Sequence, residues 1–120
     1  MNCGHVYETW ADASSESICP KCNTQAMIKP NIVFFGETPL YMDKVEHLLK
    51  TCDLFISVGT SGVVYPAAGF VQTAKYHGAD TIEINLDTTS NNFYFDKHII
   101  GKAGTKLPEL VNELLNIKTN

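Results

Sequence analysis

The sequence predicts an α/β fold on a small parallel sheet, with a separate loop-rich module at its amino-terminal end. Three observations predict it. From residue 32 onward, short apolar runs alternate with stretches whose apolar residues recur at helical spacing, and strands that alternate with helices argue for parallel pairing. The run Leu54-Phe55-Ile56-Ser57-Val58 is apolar at nearly every position, the signature of a strand covered on both faces. Residues 1–30 instead hold three of the four cysteines, the single Trp10 and the polar stretch Asp12-Ala13-Ser14-Ser15-Glu16-Ser17. That segment keeps neither a period of 2 nor one of 3.6. A module so short of core usually needs a staple.

The elements follow in order. Ile32-Val33-Phe34-Phe35, ended by Gly36, reads as a first strand. Leu40, Val45, Leu48, Leu49 and Cys52 place one apolar stripe on a helix over residues 39–51, with Cys52 as a core thiol. The strand Leu54–Val58 stops at Gly59-Thr60-Ser61-Gly62. Pro66 suits a first helical turn, Ala67, Phe70, Val71 and Ala74 form the next stripe, and Gly78 follows as a C-cap. Ile82, Ile84 and Leu86 alternate along a strand Thr81–Leu86. Residues 88–105 are polar and glycine-bearing around the aromatic knot Phe93-Tyr94-Phe95. Leu107, Leu110, Val111, Leu114 and Leu115 write a terminal amphipathic helix with Pro108 in its first turn. The order resembles half of a doubly wound, Rossmann-like sheet. The division expected is 1–30 as the small module and 31–120 as the α/β part.

Composition narrows the function classes. At 120 residues, 44% hydrophobic and 18% charged, the chain is a globular mixture of about one domain. No apolar run approaches the roughly 18–20 residues of a membrane span. Met1-Asn2-Cys3-Gly4-His5 has neither the basic nor the apolar region of a signal peptide. The formal net charge of −4, without a Lys/Arg stripe, argues against nucleic acid as partner. Four cysteines without a leader read as thiols or metal ligands in a reducing, cytoplasmic setting.

Four features could carry chemistry. Gly59-Thr60-Ser61-Gly62 lies between a buried strand and a helix, where glycines admit a ligand to backbone N–H groups and hydroxyls can donate to phosphate. By itself the segment is equally an ordinary tight turn, since it matches neither common phosphate-loop pattern. Asn85-Leu86-Asp87 falls at the carboxyl end of the next strand, where open α/β sheets bind ligands and where a polar side chain often holds a ribose hydroxyl. Asp87 is also a good turn cap. Cys19-Pro20-Lys21-Cys22 is a C-x-x-C knuckle, and Cys3 stands at a structural-zinc distance from it. The spacing puts a fourth ligand three residues before Cys3, upstream of Met1; His5 is the alternative. A redox C-x-x-C belongs at a helix start after a strand, which this loop-rich stretch does not offer. Phe34-Phe35-Gly36-Glu37 and Gly62-Val63-Val64-Tyr65 could each pair with an extended peptide by strand addition. The histidines are uninformative, and no Ser-His-Asp or paired-carboxylate arrangement can be built from the sequence.

Together these segments resemble the sirtuin family of NAD-dependent protein-lysine deacylases. The matching text is Cys19-Pro20-Lys21-Cys22, Lys29-Pro30-Asn31-Ile32-Val33-Phe34-Phe35-Gly36-Glu37, Cys52-Asp53-Leu54-Phe55-Ile56-Ser57-Val58-Gly59-Thr60-Ser61, Val63-Val64-Tyr65-Pro66-Ala67-Ala68, Glu83-Ile84-Asn85-Leu86-Asp87, and Gly101-Lys102-Ala103-Gly104 before Leu107-Pro108. The part from Asn85 looks most like the bacterial, desuccinylase-type branch. The resemblance spans this chain but only the second half of a sirtuin. The family's amino-terminal NAD loop, its Gln-Asn-Ile-Asp segment, its catalytic His-Gly and the Tyr and Arg that read an acidic acyl group are not among these 120 residues.

The resemblance implies a reaction in which the acyl-lysine carbonyl oxygen attacks the nicotinamide ribose, with nicotinamide leaving and a histidine as general base. The products are lysine, nicotinamide and O-acyl-ADP-ribose. It implies NAD held by Gly59, Thr60 and Ser61, by Asn85, Leu86 and Asp87 on the adenosine ribose side, and by Ala103 against the adenine. It implies an acyl-lysine peptide between Phe35-Gly36-Glu37 and Val63-Val64-Tyr65, structural zinc on Cys3, Cys19 and Cys22, and no catalytic residue within this chain. A second reading is a non-catalytic zinc-ribbon and half-Rossmann module that binds nucleotide or a partner. In either case an open sheet edge is expected to make the isolated chain self-associate.

Overall fold

In a computed structural model the described residues are 3–89 and 92–119. Met1-Asn2, the start of the stretch read above for a leader, lies outside them. The chain divides into two compact units, one ending at Leu40 and the other beginning at Tyr41. The change of pattern read at residue 30 falls inside the first unit, where the Lys29–Glu37 ion pair (3.6 Å) joins the two stretches.

The first unit has little regular structure. Among the described residues one antiparallel bridge, Ile18↔Gln25, closes a tight loop over the C-x-x-C segment. The Cys19 N–H donates to the Thr24 carbonyl (3.1 Å) and the Asn23 N–H to the Cys19 carbonyl (2.9 Å). Asn23 turns the chain in the left-handed region at φ 57°, which Asn tolerates better than most residues. The strand expected at Ile32–Phe35 is not there. This segment is bends and turn, with the Glu37 N–H donating to the Phe34 carbonyl (3.0 Å) and Phe35 96% exposed. The physical reason is pairing: a four-residue apolar run becomes a strand only beside a partner, and no described residue pairs with it.

The second unit is the α/β layer. Its elements are α1 (Met42–Thr51), β1 (Leu54–Val58), a 3₁₀ turn (Ala67–Gly69) running into α2 (Phe70–Tyr76), β2 (Asp80–Asn85), a 3₁₀ turn (Asn92–Tyr94), β3 (Lys97–Ile100) and α3 (Ala103–Thr119). The strands are parallel, in the order β1-β2-β3, with Leu54↔Asp80 to Val58↔Ile84 and Ile82↔Lys97 to Asn85↔Ile100 in register. Side chains alternate across the sheet. Ile82 and Ile84 pack with Leu110 of α3, joined by Leu54, Ile56 and Ile99. On the other side Phe55 packs with Leu49 of α1 and Ala74 of α2, joined by Cys52 as expected of a core thiol. Ile84 and Thr81 are fully buried.

Several assignments differ from the expectation. β2 runs Asp80–Asn85 where Thr81–Leu86 was read, because Asp80 pairs with Leu54 and Leu86 lies past the last paired residue. The first helix starts at Met42 because Tyr41 sits in the left-handed region at φ 58°. The strand β3 arises in a stretch read as loop. The last helix begins at Ala103, so Pro108 is an interior residue, not a first-turn one. Proline there removes the N–H that would bond the Gly104 carbonyl; Gly104 is exposed, so water can take that carbonyl.

Candidate functional site

The site is built by the carboxyl ends of three parallel strands. β1 runs into Gly59-Thr60-Ser61, β2 into Leu86-Asp87, and β3 through Gly101 into Ala103, the first residue of α3. The register fixes these ends side by side, since Val58 pairs with Ile84 and Asn85 with Ile100. Gly59, Thr60, Ser61, Asn85, Leu86, Asp87 and Ala103 therefore share one edge of the sheet. β3 joins Ala103 to the other six.

Hydrogen bonds lock the first two ends together. The Gly59 N–H donates to the Ile84 carbonyl (2.9 Å), and the Asn85 side-chain amide donates to the Thr60 carbonyl (2.6 Å). The Asn85 side-chain oxygen accepts the Leu86 N–H at 3.0 Å. Asn85 thus spends both ends of its amide on shape, fixing the loop after β1 against the turn after β2. The Thr60 hydroxyl accepts the Gly62 N–H at 3.3 Å and keeps its own proton to donate. Gly59 and Gly62 stand at φ +65° and +70°, a region side chains rarely adopt, and a Cβ on Gly59 would meet only open space. Room beside that backbone is what close approach of a ligand requires. The loop does not open directly onto a helix: seven residues, Thr60–Pro66, separate Gly59 from the 3₁₀ turn. α2 therefore brings no helix end to the loop after β1, and the polar groups there are those of the loop itself.

Sequence reasoning missed the floor of this site. Glu83 of β2 is 3% exposed, and one carboxylate oxygen accepts the Thr89 hydroxyl (2.5 Å) while the other pairs with His98 Nδ1 of β3 at 3.1 Å. A cavity of about 30 Å³, roughly one water molecule, lies among Ser57, Thr60, Gly62, Glu83 and Thr89. The strand alternation of Ile82 and Ile84 hid this residue, because the intervening Glu reads as solvent-facing.

The segments expected to hold a peptide fall in different units. Val63, Val64 and Tyr65 are exposed in a bend and turn ahead of the 3₁₀ turn, with the Val64 carbonyl accepting the Ala68 N–H at 2.8 Å. Phe35, Gly36 and Glu37 form an exposed turn in the first unit, with Gly36 at φ +87°.

The three expected metal ligands do come together. The Sγ atoms of Cys3, Cys19 and Cys22 all lie within 4.8 Å of one another, and Cys3 and Cys19 are 3.7 Å apart. A tetrahedral site with Zn–S bonds of about 2.3 Å has edges of about 3.8 Å, whereas a disulfide needs about 2.05 Å, so the spacing fits zinc and not a bridge. The Thr24 hydroxyl and backbone N–H beside Cys22 hold its thiol down at about 6, the thiolate form a metal takes. At Cys3 the His5 N–H pulls the other way, but burial and the neighbouring Cys22 and Cys19 outweigh it and raise the thiol above its ordinary value. His5 is not in the group; its ring stacks on Tyr7 at 5.8 Å.

The Sir2 family model matches residues 1–66, more than half of the sequence. This chain belongs to the Sir2 family. It is 46% identical over 113 residues to the NAD-dependent protein deacylase SIR2rp3 of Leishmania major, covering 93% of this chain and 46% of the relative. It is 49% identical over 110 residues to an NAD-dependent protein deacylase of Vibrio vulnificus, covering 92% and 45%. Among solved structures, a Sir2 homologue in complex with NAD superposes with a TM-score of 0.83 at 31% identity, over 97% of this chain and 46% of that one. Sir2Af2 bound to a myristoylated histone peptide superposes with a TM-score of 0.73 at 39% identity, over 87% and 44%. The chain spans about half the length of the curated relatives it matches.

Proposed function

We propose that this chain supplies the carboxyl-terminal half of an NAD-dependent protein-lysine deacylase. The observation that carries the reading is the convergence of three strand ends on one sheet edge, with the loop after β1 tied to Asn85 at the end of β2. In this reading Gly59, Thr60 and Ser61 take phosphate and the nearer ribose through backbone N–H groups and hydroxyls. Asp87 and the Leu86 backbone take the adenosine ribose, Asn85 holds the two segments in place, and Ala103 leaves the adenine room to lie flat. NAD supplies the ribose carbon to which the acyl oxygen transfers. The general base is outside these 120 residues, so this half binds and orients.

Val63-Val64-Tyr65 and Phe35-Gly36-Glu37 offer exposed backbone for an acyl-lysine peptide added as a strand. The peptide complexes of Sir2 enzymes, with a myristoylated histone peptide in one and a propionylated peptide in another, support that class of partner. Zinc on Cys3, Cys19 and Cys22 is structural: it closes a unit whose only described bridge is Ile18↔Gln25. Three clustered thiols favour a reducing compartment, which supports a cytoplasmic location.

The test is a graft. This chain replaces the matching segment of the Vibrio vulnificus deacylase, and nicotinamide release is followed with NAD and an acyl-lysine peptide. Release that depends on both substrates and falls when Thr60 is changed to Ala is the expected result. A folded, zinc-loaded graft without release overturns the reading in favour of a non-catalytic module.

A further inference from the structure

We propose that Glu83 is a positioning residue for the cofactor site, acting through Thr89 to hold the turn that carries Leu86 and Asp87; this rests on the reading above that the turn takes the adenosine ribose. The argument begins with burial. A carboxylate that is only 3% exposed in the middle of a parallel sheet is costly unless its oxygens are bonded. Both are bonded here, one to β3 and the other to the chain beyond β2. His98 lies on β3, directly across from Glu83 in the register, and joins the two strands. Thr89 lies beyond the strand, past Leu86-Asp87, and its hydroxyl returns to the sheet to reach Glu83.

The consequence is a closed loop of chain. It leaves the sheet at Asn85, carries Leu86 and Asp87 into solvent, and is fastened back at Thr89. One end of the turn is fixed by the Asn85 side chain, which grips Thr60 and the Leu86 N–H. The other end is fixed by Glu83. Without the second fastening, among the described side chains Asn85 is left to constrain Leu86 and Asp87, and a ligand would have to order the turn at a cost in affinity. The small cavity between Glu83 and Thr60 places the same carboxylate beneath the loop after β1. One buried acid thus underlies both segments assigned to the cofactor. It touches no ligand position itself, which separates it from Asp87.

Two measurements on the 120-residue chain test this. Amide hydrogen exchange reads the turn directly, and titration with ADP-ribose followed by NMR reads the site. Thr89→Val deletes the hydroxyl and keeps the shape. It is expected to speed exchange at Leu86 and to weaken ADP-ribose binding about three- to tenfold, the worth of one hydrogen bond. Thr89→Ser is expected to restore both. Leu110→Ala, on the opposite face of the sheet, serves as the stability control: it should lower the melting temperature and leave ADP-ribose affinity unchanged. Exchange at Leu86 that is the same in Thr89→Val and the unmodified chain overturns the proposal whatever the ligand does. Faster exchange with unchanged affinity also overturns it, since the turn would then be held for stability alone. If the unmodified chain shows no saturable ADP-ribose binding while exchange responds as expected, the cofactor reading itself fails and the positioning role falls with it.

Discussion

Asp96 shows how one side chain fixes a stretch that sequence leaves shapeless. Its carboxylate takes the Lys75 ammonium at 2.8 Å and the Thr81 N–H at 2.9 Å, and its own N–H donates to the Thr81 carbonyl. The Lys75 hydrogen bond, then the Thr81 N–H and hydroxyl, hold the Asp96 carboxyl below its ordinary 3.8. A carboxyl depressed by folding contributes stability above its unfolded pKa, and that stability is lost as pH falls from about 4 toward the lower folded value. Melting temperature followed from about pH 5 to pH 3 should therefore fall further for the unmodified chain than for Asp96→Asn. Equal losses would show that the clamp does not discriminate the charged form. The cysteines give a second residue-scale expectation. Cys19 is the buried member of the trio, so Cys19→Ser should lower zinc content and loosen the segment around Cys22, read by metal analysis and by proteolysis of residues 3–40. Zinc on three thiolates should also leave more readily to a mild chelator than zinc on four. The trio was legible because its chemistry lies in residue type and spacing. Glu83 was not, because nothing in a strand's alternation distinguishes a buried, bonded acid from a solvated one.

Elements were legible in proportion to how far their own residues decide them. β1 was readable to its last residue because five nearly continuous apolar positions bounded by Asp53 and Gly59 admit no other register. β3 was not: Lys97 and His98 are polar, and each finds its partner on another element, Glu113 of α3 and Glu83 of β2. An edge strand set by such long-range pairs leaves no local pattern. Ile32–Phe35 is the converse case, a good local pattern without a neighbour to pair with. The strand ends proposed for the cofactor were legible at Gly59–Ser61 and Asn85–Asp87 because turn residues end both strands; that Ala103 shares their edge depends on β3 and stayed hidden from periodicity. The central position of β2 predicts a concentrated energetic dependence. Ile84 is fully buried, packs among Ile82 and Leu110, and its carbonyl receives the Gly59 N–H. Ile84→Ala should cost about 2–5 kcal/mol, the range for deleting a buried aliphatic side chain, and urea denaturation would show it as a lower midpoint. A loss below about 1 kcal/mol would mean the site collapses to fill the space.

At the scale of the whole molecule, what the 120 residues lack for catalysis and what they expose to water have different consequences. The family's general-base His-Gly, which precedes the zinc cysteines, is not among them; the dipeptide His77-Gly78 follows those cysteines, at the end of α2. General acid–base catalysis alone is worth about 10²–10⁴-fold. The purified chain is therefore expected to release no nicotinamide above blank from NAD and an acyl-lysine peptide; clear turnover would show that the base lies within it. The exposed surface leads to association. In the order β1-β2-β3 the apolar strand β1 stands at an edge, and no described strand pairs with its other side. A row of free N–H and C=O groups beside apolar side chains is a template for another strand. Val58 is exposed at the end of that edge, and Val63, Val64 and Tyr65, which follow in sequence, are exposed as well. Natural edges avoid such pairing with charges, bulges or a covering element, and β1 carries no charged residue. The chain is expected to run as a concentration-dependent dimer or larger species in size-exclusion chromatography with light scattering. Val58→Lys, which places a charge on the edge, should shift it toward monomer. A monodisperse monomer across the concentration range, melting cooperatively above about 60 °C, would show that the edge is satisfied within the chain.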